Sequence, residues 1–331
     1  MHVSYRIVVI VMMLVLITFV GILAGIHLVE RQDVSNIDHQ TQSKLYDGVT
    51  TESSTEYVHT KESIDTSAPF VVSTTTISSS TTHPLSVVVA NPITAYAYLV
   101  GNVATGQIYI SSHINTVLPV ASMSKLMTAI VATNIFSSTT LISITPTETD
   151  VASDTSNIRA GETFSFKDLL YPLLLNSSNI AAEAIASTSG RTHFMDTMSN
   201  TAWEIGMPTA YFADPSGLDP HNHATAKDIF ALARYVYTYR PDIFEITRTV
   251  HVSVATTTDH DAHDFTSIHP FVTDPRFIGG KTGRTDEAGE TMLTVLRIND
   301  QSIAFIVLHS RFGARTSDTR LLIERFVGLN K

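Results

Sequence analysis

Ser122 and Lys125 stand three residues apart in Ser122-Met123-Ser124-Lys125, at the head of a run whose apolar positions follow the helical period. Side chains at this spacing project from one helix face a turn apart, so an amine is set beside a hydroxyl. A serine hydroxyl is a weak nucleophile at neutral pH until a neighbouring base takes its proton. Lysine serves as that base only when its ammonium is partly deprotonated, which burial or a second cation promotes. Two further strings supply groups for such a site. Ser177-Ser178-Asn179 lies between apolar residues 173–175 and the Ala-rich residues 180–186, and Lys281-Thr282-Gly283 follows Phe277-Ile278-Gly279-Gly280. Lys281 is the candidate second cation. Singly, each string is ordinary: a surface helix, a polar turn between helices, a strand whose glycine admits another backbone. Together and in this order they point to serine acyl transfer.

The elements that must position these groups are legible in part. Leu126, Met127, Ile130, Val131 and Ile135 predict a buried helix over residues 122–136, whose N-terminal N–H groups near Ser122 favour developing negative charge. Ser165-x-x-Asp168 and Thr225-x-x-Asp228 are capping signals for helices over 166–175 and 226–239, and further helices are expected over 179–187 and 193–205. A hairpin is read at 95–100 and 107–112, and core strands at 277–284, 290–298 and 302–310, before a closing amphipathic helix at 319–327. Strands from both ends around a helical block predict an α/β (α+β) domain over residues 85–331. Its antiparallel sheet is flanked by helices, with an inserted all-helical region.

The three strings in this order resemble the penicillin-recognising serine enzymes, the superfamily of penicillin-binding proteins and serine β-lactamases. Within it, Asp214-Pro215-Ser216-Gly217-Leu218-Asp219, then Ala224-Thr225-Ala226-Lys227-Asp228, and Lys281-Thr282-Gly283-Arg284-Thr285 resemble the D-alanyl-D-alanine carboxypeptidase family of low-molecular-mass penicillin-binding proteins. The resemblance runs from about residue 94 towards the C-terminus and implies a β-lactamase/transpeptidase-like fold. It makes Ser122 the nucleophile and Lys125 its base. Ser177, Asn179 and Lys281 would move the proton and orient the peptide, and Thr282, with Gly283, Arg284 and Thr285, would bind the substrate and its terminal carboxylate. The backbone N–H groups of Ser122 and Arg284 would form the oxyanion hole. Arg284 is a departure, since well-known members often carry histidine after Lys-Thr-Gly. Arg315, in Arg315-x-x-Asp318, has two readings: carboxylate recognition or a structural salt bridge.

The implied activity is removal of the terminal D-alanine from peptidoglycan stem peptides through an acyl-Ser122 intermediate, with β-lactam antibiotics as covalent inhibitors. The alternatives are a DD-endopeptidase that cleaves cross-links, a β-lactamase, and a non-catalytic module that binds cell-wall peptide. The chain has no Glu-x-x-Leu-Asn loop of the class A β-lactamases. No cofactor and no metal is assigned. Asp259-His260-Asp261-Ala262-His263-Asp264 offers ligand atoms, but its spacing matches no metal motif.

The 331 residues contain 44% hydrophobic residues, enough for a substantial core, and no cysteine, so an oxidising compartment imposes no pairing problem. A net charge of −10 with scattered basic residues argues against nucleic acid as a partner. Residues 7–29 are almost unbroken apolar sequence, long enough to span a bilayer as a transmembrane signal-anchor. Arg6 before the span predicts a cytoplasmic 1–6 and a catalytic domain on the extracytoplasmic side, periplasm or cell wall, of a single-pass membrane protein. Residues 30–84 are Ser/Thr-rich and poor in large apolar residues, which predicts a flexible linker. Familiar carboxypeptidases of the family often add a β-rich domain and a C-terminal amphipathic anchor; here the N-terminal span is expected to provide attachment.

Overall fold

The computed structural model describes residues 92–329. The expectations for residues 1–84, the membrane span and the linker, lie outside them. No helix among the described residues is long and apolar enough to cross a membrane.

Alternating apolar residues at both ends of the described segment build one antiparallel sheet of five strands. These are β1 (Ala97–Asn102), β2 (Ile108–Ser112), β9 (Phe277–Thr285), β10 (Gly289–Ile298) and β11 (Gln301–Ser310), in the order β2-β1-β11-β10-β9. The first strand therefore pairs with the last, Ala97 opposite Leu308 and Asn102 opposite Ile303. Side chains alternate across the sheet. On β11, Ala304, Ile306 and Leu308 enter the core shared with the helical block, whereas Ile303, Phe305 and Val307 face a second core with Leu322, Ile323 and Phe326. Those last three belong to the C-terminal helix, Arg315–Leu329. Both faces are thus covered.

Between the two halves of the sheet come seven helices: α1 (Ser124–Ile135), α2 (Pro146–Thr149), α3 (Phe166–Leu174), α4 (Asn179–Thr188), α5 (Arg191–Glu204), α6 (Ala226–Tyr239) and α7 (Pro241–Thr247), with Arg315–Leu329 as α8. The two capping signals act as read, Ser165 and Thr225 accepting from the amides of Asp168 and Asp228. Residues Ser124 to Ala132 of α1 are all buried, so this helix runs through the molecule rather than along its surface. Three two-stranded pairs complete the fold. β3 (Leu118–Pro119) pairs with β6 (His223–Ala224), β4 (Leu141–Ser143) with β5 (Thr163–Ser165), and β7 (His251–Val254) with β8 (His263–Thr266). These short strands, α2 and α7 are too brief to leave a periodic signal in sequence.

Candidate active site

The helix predicted from residue 122 begins with a 3₁₀ turn, Ala121–Met123, before α1 proper. Ala121 has φ 49°, the left-handed region that an alanine enters only under strain. The strain is held by close packing on two sides. A Cβ added to Gly217 (φ 87°) would fall on the Ala121 carbonyl, and one added to Gly283 would lie 2.9 Å from the Ser122 amide nitrogen. The Asp214–Asp219 loop and β9 thereby sandwich the nucleophile's backbone. Val120 N–H donates to Asn222 O, and Thr291 Oγ1 donates to Val120 O. Asn222, fully buried, ties the Asp214–Asp219 loop to the nucleophile's helix: its Nδ2 donates to Ser124 Oγ and Asp214 O.

Lys125, one turn beyond Ser122, is completely buried. Its Nζ lies 2.9 Å from Ser122 Oγ, 2.7 Å from Asn179 Oδ1 and 2.5 Å from Ser216 O. Burial lowers its pKa from 10.5 to about 7, against the opposing pull of Asp214, Asp154 and Glu183. Lys281 reaches the opposite wall from β9: its Nζ donates to Ser177 Oγ at 2.8 Å and to Thr282 O at 2.9 Å. Burial first, then Lys125 and Arg315, holds Lys281 well below the ordinary lysine range. Burial is the largest cause for both lysines, and the repulsion between the two amines adds to it, since one dry cleft disfavours two ammoniums.

Ser177 sits at φ 65°, which ends the approach to α4 and turns its hydroxyl towards Lys281, while Ser178 caps α4 by accepting from Ala181 N–H. The cleft, about 640 Å³, is lined by Ser122, Ser177, Asn179, Thr282, Gly283, Arg284, Thr285 and Arg315, with Lys125 and Lys281 buried among these walls. All ten sequence-predicted residues are thus brought together. Arg315 lies at the cleft and beside an acidic residue. Its Nη1 donates to Gly283 O at 2.9 Å, and its Nε stands 4.0 Å from Glu290. Asp318, its sequence neighbour, is engaged elsewhere, accepting from Thr94.

Several cleft residues had no sequence signal: Ser153, Thr155, Asn176, Ile268, whose N–H donates to Leu175 O, and acidic Asp286 and Glu287 from the β9–β10 turn. The His-rich segment lies elsewhere. His263 Nε2 is 2.8 Å from Glu162 Oε1 in a buried pair, His260 stacks on Phe164, and none of these lines the cleft.

The fold is that of the penicillin-binding proteins. Penicillin-binding protein D2 from Listeria monocytogenes, in a cefotaxime-bound form, matches with TM-score 0.62 and 28% identity over 71% of this chain and 97% of its own. A D-alanyl-D-alanine carboxypeptidase from Mycobacterium tuberculosis matches in fold with TM-score 0.65 and 22% identity, over 72% and 93% of the two chains. With residues 81–311 matching the family model described as D-alanyl-D-alanine carboxypeptidase, the chain belongs to that family. Among sequence relatives, a D-alanyl-D-alanine endopeptidase from Pseudomonas aeruginosa is 29% identical over 226 residues, which is 66% of this chain and 72% of the relative.

Proposed function

We propose that the protein is a serine D-Ala-D-Ala carboxypeptidase that removes the terminal D-alanine of peptidoglycan stem peptides. The observation that carries the reading is the buried Lys125 Nζ at 2.9 Å from Ser122 Oγ, with a pKa of about 7. A base poised near the operating pH combines the right protonation state with driving force for proton transfer. Neutral Lys125 accepts the Ser122 proton as Oγ attacks the penultimate D-Ala carbonyl carbon. The oxyanion that forms is met by the N–H groups of Ser122 and Arg284. The proton that Lys125 took is passed on through Ser177, whose Oγ lies 2.8 Å from Lys281 Nζ, to the departing D-Ala amine as the peptide C–N bond breaks, which leaves Lys125 neutral again. Thr282 and Arg315 receive the terminal carboxylate. Water, deprotonated by Lys125, then adds to the acyl carbon, and Ser122 leaves with its proton restored.

A second reading, a DD-endopeptidase acting on cross-links, is favoured by the Pseudomonas relative. Both use the same acyl half of the substrate and differ in the leaving amine. β-Lactams acylate Ser122 in either case, and the cefotaxime-bound Listeria relative supports that inhibitor class. Residues 7–29 anchor the enzyme in the membrane and residues 30–84 tether residues 85–331 on the extracytoplasmic side, a reading supported by the apolar run and the Ser/Thr-rich composition.

The test is intact-mass spectrometry with penicillin beside Ser122→Ala, followed by assays on a monomeric pentapeptide and on cross-linked dimers. A single, slowly decaying adduct that needs Ser122, with release of D-alanine from the monomer, is expected. Turnover of dimers alone selects the endopeptidase, rapid drug turnover a β-lactamase, and no adduct refutes the mechanism.

A further inference from the structure

A protonated Lys125 has three N–H donors, and three acceptors surround it: Ser122 Oγ, Asn179 Oδ1 and Ser216 O. The neutral amine that acts as base has two hydrogens and a lone pair. If Asn179 and Ser216 O keep the two hydrogens, the lone pair is left facing Ser122 Oγ. The direction of the base is then decided by what holds those two acceptors.

A carboxylate holds each. Asp154 Oδ2 accepts from the amides of Asn179 and Ile180 at 2.5 and 2.9 Å and from Ser178 Oγ at 2.8 Å. Its Oδ1 accepts from Ser156 N–H and Oγ, closing the loop whose Ala152 O takes Asn179 Nδ2 at 2.9 Å. Asn179 is thus fixed at both backbone and amide, with Oδ1 left for Lys125. On the other side, Asp214 Oδ1 accepts from Ser216 N–H at 2.6 Å, Ser216 Oγ at 2.8 Å and Gly217 N–H at 2.5 Å, and Oδ2 accepts from Asp219 N–H. This turn aims Ser216 O at Lys125.

We propose that Asp154 and Asp214 are positioning residues of the reaction, each holding one of the two acceptors that direct the Lys125 lone pair onto Ser122. The inference rests on the functional reading above. Their charges act in the same place: Asp214, then Asp154, then Glu183 counter the effect of burial on Lys125, while Lys281 is the cation facing it across the cleft. Removing either carboxylate therefore displaces the base and also makes it easier to deprotonate.

The two effects separate in the pH dependence of Ser122 acylation by a fluorescent penicillin, measured on the full chain. The acid limb of that profile reports the base of the free enzyme, and the plateau reports its geometry. Asp154→Asn and Asp214→Asn are expected to lower the plateau about tenfold or more and to move the acid limb down by about half a pH unit, further for Asp214. Asp154→Glu keeps the charge, so its limb stays while its plateau falls. Should Asp214→Asn not fold, Ser216→Ala removes one donor to Asp214 and leaves the charge: a lower plateau with an unmoved limb is expected. A plateau unchanged in these variants, or one that falls only in step with thermal stability while the Asp→Asn limbs stay put, overturns the inference. A wild-type chain that takes no label at Ser122 overturns the functional reading and this inference together. A labelled wild type whose variants match it overturns the inference alone.

Discussion

Lys125 reaches Ser122 because three residues on a helix make one turn, and it reacts because α1 is buried on every side. The same burial makes the folded protein pH-sensitive. The unfolded chain binds this proton below about pH 10.5, the folded chain only below about 7. Between these values the unfolded state holds more protons, so the Lys125 contribution to stability improves as pH rises; below about 7 both states are protonated and the penalty is constant. Comparing urea unfolding of wild type and Lys125→Met at pH 7 and about 9.5, the wild type should gain about 3 kcal/mol relative to the variant. An equal difference at both pH values would show that Lys125 keeps its proton in the fold. The pair itself was readable from sequence. Asp154 was not, because its hydrogen-bond partners at Ser178, Asn179 and Ile180 lie 24 to 26 residues away across a loop.

At the scale of elements, β9 must present Lys281, Thr282 and Gly283 in register, and a buried histidine underpins it. His269 Nε2–H donates to Leu293 O while Nδ1 accepts from Phe271 N–H, so the ring is neutral in both roles. A Cβ on Gly280 would lie 2.8 Å from His269 Nε2, so the glycine before Lys281 makes room for the ring. Burial lowers the His269 pKa from 6.5 to about 3. As pH falls from 6.5 the unfolded state protonates first, and stability is lost down to about pH 3, by on the order of 4 kcal/mol. His269→Gln should unfold with a flatter dependence on pH over this range, and an unchanged slope would remove His269 as the cause. Gly217 governs the other wall of the nucleophile. Gly217→Ala meets both a positive φ and the Ala121 carbonyl, so a loss of about 2 kcal/mol or more is expected, together with slower acylation. Full-rate penicillin labelling of that variant would show that the loop can shift without cost to the site. The two glycines were visible in the strings Ser216-Gly217-Leu218 and Gly279-Gly280-Lys281, but the atoms they make room for were not.

Across the described residues the sheet joins the first strand to the last, and a polar clamp reinforces that join. Buried Asp318, in the first turn of α8, accepts from Thr94 N–H at 2.8 Å and from Thr94 Oγ1 at 2.7 Å, across 224 residues of sequence. Asp318→Ala removes the acceptor of both Thr94 donors and should cost about 2 kcal/mol, read as a fall in Tm of roughly 5 °C. Ser122 labelling at low temperature should stay normal, since the clamp touches no cleft residue; a loss there would tie α8 to catalysis, through Arg315 at its start. The α/β class and the antiparallel strands follow from alternation along residues 277–310 and from the helical block before them. The nucleophile and its base follow from a spacing of three. These features are local or periodic, and a one-dimensional pattern carries them. Tertiary packing alone decided that Lys281 meets Ser177 across 104 residues, that Lys125 is fully buried with a depressed pKa, and that Asp154 holds Asn179 from another loop. Contacts between distant segments and the loss of water around a charge depend on how the elements close on one another, and neither leaves a period or spacing in the chain.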